Sequence, residues 1–149
     1  MRHGLICVCM LFALLSSTGL ARAGAGDMNL DAQLIWGTND TKTDAKLKPA
    51  DPELVRKLRQ SPFKWDHYFE MHREQIPLKL NQEKTVSMSR NCVISVTNLK
   101  DQQVQLRLFG KGVLANTVQQ ALPKGQLLII GGNAENSTAW FVVLRQVEK

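Results

Sequence analysis

From residue 84 onward the chain is a succession of short strand-like runs, broken roughly every 8 to 12 residues by turn formers. Few folds tolerate such a succession. Runs of this kind cover residues 84–88, 92–96, 104–109, 113–122, 126–130 and 138–147, and their separators include Ser89-Arg90-Asn91, Gly110-Lys111-Gly112 and Pro123-Lys124-Gly125. Two earlier runs join them. In residues 29–36, Leu30, Ala32, Leu34 and Trp36 alternate with Asp31 and Gln33; in residues 63–72, Phe63, Trp65, His67, Phe69 and Met71 alternate with Lys64, Asp66, Tyr68, Glu70 and His72. The expected fold is mainly β: an antiparallel β-sandwich or partly open barrel of about seven to eight strands with one short helix. Long helices do not alternate with the strands, which argues against a doubly wound parallel sheet and its nucleotide site.

The first 23 residues obey different rules. Arg2 and His3 precede an apolar run from Leu5 to Leu15, and Ala21-Arg22-Ala23 follows it. A basic start, a short apolar core and small residues at alternate positions are the layout of a secretory signal peptide, so cleavage is expected after Ala23 and the protein is expected to be secreted or periplasmic. The apolar run is well below the ~20 residues that span a bilayer, and no later stretch reaches that length. Removing 23 of the 149 residues leaves 126, with 17 basic and 13 acidic side chains. Cys7 and Cys9 leave with the signal, so Cys92 becomes the sole thiol and no internal disulfide can form. Stability then has to come from an apolar core, which a single domain of this length can supply.

That domain, residues 24–149, reads as one β-rich unit with a polar, lysine-dotted loop over 37–50 and a helix over 51–60. Asp51 before Pro52 and Glu53 starts the helix, because a carboxylate accepts the free amides of the first turn and proline loses nothing there. Leu54, Val55 and Leu58 share one helix face, and Pro62 is expected to stop the helix. Residues 127–130 and 140–144 are continuously apolar, the pattern of strands covered on both faces. Cover by the second sheet and the helix is expected, in preference to a partner chain.

Candidate chemistry is sparse. Glu70, His72 and Glu74 fall on one face of their expected strand and offer weak metal-ligand candidates, with His67 on the opposite face. Cys92 shares the apolar side of its strand with Ile94 and Val96, which suits a small core residue better than a nucleophile. No Gly-x-Ser-x-Gly or Walker sequence occurs, so neither a hydrolase triad nor a phosphate loop is indicated, and no cofactor is expected. A small metal- or cysteine-dependent enzyme is the least favoured reading. Asn39-Asp40-Thr41 and Asn136-Ser137-Thr138 match the glycan acceptor pattern.

Surfaces are the better candidates. Trp36, Tyr68 and Phe109 fall at strand ends or on polar sides, where an aromatic ring can anchor a partner. Lys42, Lys46, Lys48, Arg56, Lys57 and Arg59 put six cations into residues 42–59, a segment able to attract acidic lipid, polysaccharide or nucleic acid. The stretches Leu34-Ile35-Trp36-Gly37-Thr38 and Thr138-Ala139-Trp140-Phe141-Val142-Val143 resemble those of small exported bacterial β-domain proteins, a resemblance that carries no activity with it. The functional expectation is a non-enzymatic interaction module that meets a protein of the envelope or extracellular space through an exposed strand edge or aromatic patch. An anion-binding module acting on a polymer or membrane surface is the alternative.

Overall fold

The computed structural model describes residues 26–60, 65–133 and 138–148. In chain order the elements are β1 (Met28–Thr38), β2 (Lys48–Pro49), α1 (Pro52–Gln60), β3 (His67–Leu78), β4 (Glu83–Ser89), β5 (Cys92–Asn98), β6 (Gln103–Gly110), β7 (Val113–Ala121), β8 (Leu127–Asn133) and β9 (Ala139–Gln146). The strands form two antiparallel sheets, ordered β2-β3-β1-β9-β8 and β4-β5-β6-β7. One strand more than expected is present because β2 has only two residues, too few for a periodicity to register. β3 runs on through Arg73, Glu74 and Gln75, a polar stretch that reads as a strand end until its pairing with β1 is seen. Among the described residues no helix is long and apolar enough to cross a membrane.

Between the sheets lies the larger core, in which Leu30, Ala32 and Leu34 of β1 meet Ile94 and Val96 of β5, Leu106 of β6, and Val142 and Leu144 of β9. Burying each large side chain of this kind contributes about 1.5–3 kcal/mol. A second core forms on the outer face of the five-stranded sheet, where Leu54 and Leu58 of α1 pack on Ile35, Tyr68, Phe141 and Val143. Asp51 Oδ1 accepts the Glu53 amide and starts the helix as expected; Pro62 lies outside the described residues. Leu128, Ile130, Val142 and Leu144 enter the first core and Phe141 and Val143 the second, so most of the apolar run of β8 and β9 is covered within the chain.

Gly131 sets how closely β8 and β9 approach. A methyl group there would lie 2.5 Å from the Trp140 carbonyl oxygen and 2.6 Å from Phe141 Cδ1, whereas one at Gly132 would touch none of the described residues within 4 Å. Gly131→Ala should therefore lower the unfolding free energy by about 1–3 kcal/mol, and Gly132→Ala should leave it nearly unchanged, as read from paired urea midpoints.

β1 departs from the expected alternation, because its polar side is buried as well. Asp31 is 0% exposed and Gln33 3%. The Asp31 carboxylate accepts Arg73 Nε at 2.8 Å and Nη2 at 2.7 Å, Arg145 Nε at 2.8 Å, and Gln33 Nε2 at 3.3 Å. A charge can enter the sheet there because two cations and an amide replace its water.

Candidate functional site

A bulge decides which aromatic side chains share a face. Between Leu34 and Ile35 the register of β1 on β3 slips, so Leu34 faces His72 while Ile35 faces Glu70, and Met71 is the extra residue. Beyond that slip every side chain of β3 changes face relative to an uninterrupted alternation. Tyr68, expected on the exposed side, is therefore 4% exposed and lies in the helix-side core. Burial pushes its phenol above the ordinary value. Phe69 instead joins Trp36 on the other face.

The same slip separates the metal candidates. Glu70 stands on the helix side, 2.7 Å from Lys48 Nζ, while His72 and Glu74 pair with Leu34 and Ala32 on the opposite face and lie 3.4 Å from each other. Among the described residues no group of three or more His, Cys, Asp or Glu side chains converges. Cys92 is half-buried against the inter-sheet core, and that burial raises its thiol above the ordinary value, away from the thiolate a nucleophile needs.

Three of the six cations of residues 42–59 have partners within the chain. Lys48 is committed to Glu70, Lys57 lies 3.5 Å from Glu53, and Arg59 Nη2 donates to the Asp66 carbonyl at 3.0 Å. Lys42, Lys46 and Arg56 are exposed. Asn39, in one of the two acceptor sequences, uses its Oδ1 to take the Asp66 amide at 2.8 Å; Asn136 of the other lies outside the described residues.

What the fold does assemble is an aromatic row across three adjacent strands. His67 and Phe69 of β3 stack at 6.4 Å, Phe69 and Trp36 of β1 approach at 5.9 Å, and Trp36 stacks on Trp140 of β9 at 6.2 Å. Trp140, inside a run expected to be covered on both faces, is 40% exposed. It forms one wall of a cleft of about 810 Å³ between the sheets, with Leu34 and Gly132 beside it and Cys92, Leu108, Phe109 and Ala115 opposite. Trp36 and Phe109, both singled out by the sequence, thus reach the same end of the molecule, Trp36 through its contact with Trp140.

Two tight turns close the far side of the cleft. β4 and β5 join through Arg90-Asn91, and β6 and β7 through Lys111-Gly112, whose φ angles of 50° and 80° match the positive values of a twist-compatible hairpin turn. The Lys111 amide donates to the Asn91 carbonyl at 2.9 Å and locks the turns together, so Arg90 and Lys111 stand on adjoining tips. In the sequence Arg90 and Lys111 mark only turns, and no local signal places them opposite Trp140.

Next to the cleft runs β7, the outer strand of the four-stranded sheet. It has nine residues, Val-Leu-Ala-Asn-Thr-Val-Gln-Gln-Ala, with no charge and no proline, and every one except Val118 is exposed. Val113 is 69% and Leu114 51% exposed. Two other edges are blunted: β4 carries Glu83 and Lys84 and a bulge, and the free length of β3 carries Arg73, Glu74 and Pro77. β8 is also uncharged, but it differs from β7 in that Leu128 and Ile130 are buried in one core and Leu127 and Ile129 pack against the other. The chain matches no protein-family model, no curated protein and no solved structure, so its own geometry carries the functional argument.

Proposed function

We propose that the chain is exported, loses its first 23 residues after Ala23, and acts as a non-enzymatic interaction module that captures an extended segment of a protein in the envelope or extracellular space on the free edge of β7. One observation carries this reading: β7 is the edge strand that is both uncharged and exposed along its length. Unpaired N–H and C=O groups on such an edge supply main-chain hydrogen bonds to an added strand, and proteins normally suppress that pairing with charge, proline or cover. A register shift against β6 affects only the start of β7, leaving residues 116–121 regular.

Site-specific photo-crosslinking tests the proposal. A photoreactive residue at Thr117, on β7, should join the protein to one partner in the exporting cell, while the same residue at Thr85, on the charged β4 edge, should not. Binding of the identified partner should change little with salt, because strand addition uses neutral groups. Thr117→Lys combined with Gln119→Lys should weaken it by about tenfold or more while changing stability by no more than about 0.5 kcal/mol. Equal capture from both edges, or capture from neither, would refute the reading.

A further inference from the structure

We propose that the cleft between the sheets is a binding site for a small amphiphilic carboxylate, with its apolar tail between Trp140 and Leu108 and its head group on Arg90 and Lys111. This inference is independent of strand addition to β7. The cleft's volume of about 810 Å³ lies in the range of small-molecule sites, roughly 300–1,000 Å³.

Charge selects the head group. Arg90 and Lys111 are the cations among the described lining residues, and no described lining residue is acidic. Both side chains are exposed, and among the described residues neither forms an ion pair. The Lys111–Asn91 hydrogen bond fixes their turns side by side, so an anion can meet both at the cost of ordering only the two side chains.

The walls select the rest of the ligand. Leu34, Cys92, Leu108, Phe109, Ala115 and Trp140 supply apolar surface; the neutral polar side chains are Ser89, Asn91 and Thr138. Ser89 is already engaged, its Oγ accepting the Asn91 amide at 3.3 Å and its carbonyl accepting Ser87 Oγ at 3.2 Å. A sugar ring would place several hydroxyls against surface that cannot satisfy them, whereas an alkyl tail loses nothing there. Gly132 keeps the space open beside its pairing partner Trp140, since a Cβ added there would meet none of the described residues within 4 Å.

The test uses three ligands with one ten-carbon tail, namely decanoate, decanol and decyltrimethylammonium, each below its micellar concentration and titrated into the purified protein by calorimetry and tryptophan emission. Decanoate should bind at one site per chain, about tenfold or more tighter than the other two. Arg90→Ala with Lys111→Ala should erase that preference and leave decanol binding unchanged. Gly132→Val should block all three while melting like the wild type, because the new side chain enters unfilled space on a strand. Absence of decanoate binding, equal affinity for the three head groups, or decanoate binding that survives Gly132→Val would overturn the proposal. So would binding to phosphatidylglycerol vesicles with no measurable affinity for free decanoate, which would make the ligand a membrane surface.

Discussion

Asp31→Asn should cost about 3 kcal/mol of folding stability at neutral pH, near the lower end of the range for breaking a buried ion pair. Asparagine fits the same space but gives Arg73 and Arg145 no counter-charge, and two of its hydrogens would point toward guanidinium donors. The side chains of those arginines are 37% and 32% exposed, so water recovers part of their solvation and keeps the loss from the top of the range. Burial alone would push the Asp31 carboxyl up, but the hydrogen bonds and positive charges of Arg73 and Arg145 outweigh it and hold the group below its ordinary 3.8. A carboxylate with a depressed folded-state value contributes fully above its unfolded value, and the contribution drains away as pH falls through the folded one. Wild-type stability should accordingly drop below about pH 4, while Asp31→Asn should show a shallower acid slope. Glu83, held low by the Ser95 hydroxyl and by Arg107, leaves part of the slope in both proteins. Urea unfolding from pH 7 to pH 2.5 checks both statements; equal stability of the two proteins at pH 7 would show that the cluster is replaceable by water.

That cluster marks where sequence reading reaches its limit. Hydrophobic alternation says which residues share a face of one strand, and for β5 and the first part of β6 this sufficed, because Ile94, Val96, Val104 and Leu106 all enter the inter-sheet core. Asp31 and Gln33 obey the same alternation but end up buried, since whether the polar face meets water depends on α1 and on Arg145 arriving from the far end of the chain. Tyr68 and Phe69 exchanged roles for another reason. A bulge adds one residue without any local signature, and the period-2 argument inverts beyond it. The site candidates divide in the same way. Trp36 was legible as an aromatic at a strand end and Phe109 as one on the polar side of its strand, but the row through Trp140, and the two hairpin tips facing it, exist only once β1 pairs with β9 and β5 with β6. Lys48 and Lys57 were legible as charges, whereas their neutralisation by Glu70 and Glu53 needed β2 and the helix to be placed.

Ending the chain after Leu122 should abolish folding, and this is the largest effect we expect from any single change. The deletion removes β8 and β9, and β9 is an interior strand, hydrogen-bonded to β1 over Ala139–Gln146. β1 would be left with an open edge in the middle of what had been a five-stranded sheet. The inter-sheet core would lose Leu128, Ile130, Val142 and Leu144, and the helix-side core would lose Ala139, Phe141 and Val143. At about 1.5–3 kcal/mol for each large side chain, the lost burial is on the order of 10 kcal/mol, comparable to or above the whole net stability of a domain this size. α1 could not persist alone, because a nine-residue helix is marginal in water and its buried Leu54 and Leu58 pack on that missing core. The truncated chain should lack dispersed amide resonances and a cooperative thermal transition. Removing only Glu148 and Lys149 provides the control: it deletes the exposed Lys124–Glu148 pair and should shift stability by no more than about 0.5 kcal/mol. A folded, cooperatively melting product ending at Leu122 would mean that β1 to β7 form a self-sufficient core, and that the apolar runs of β8 and β9 serve a surface rather than the interior.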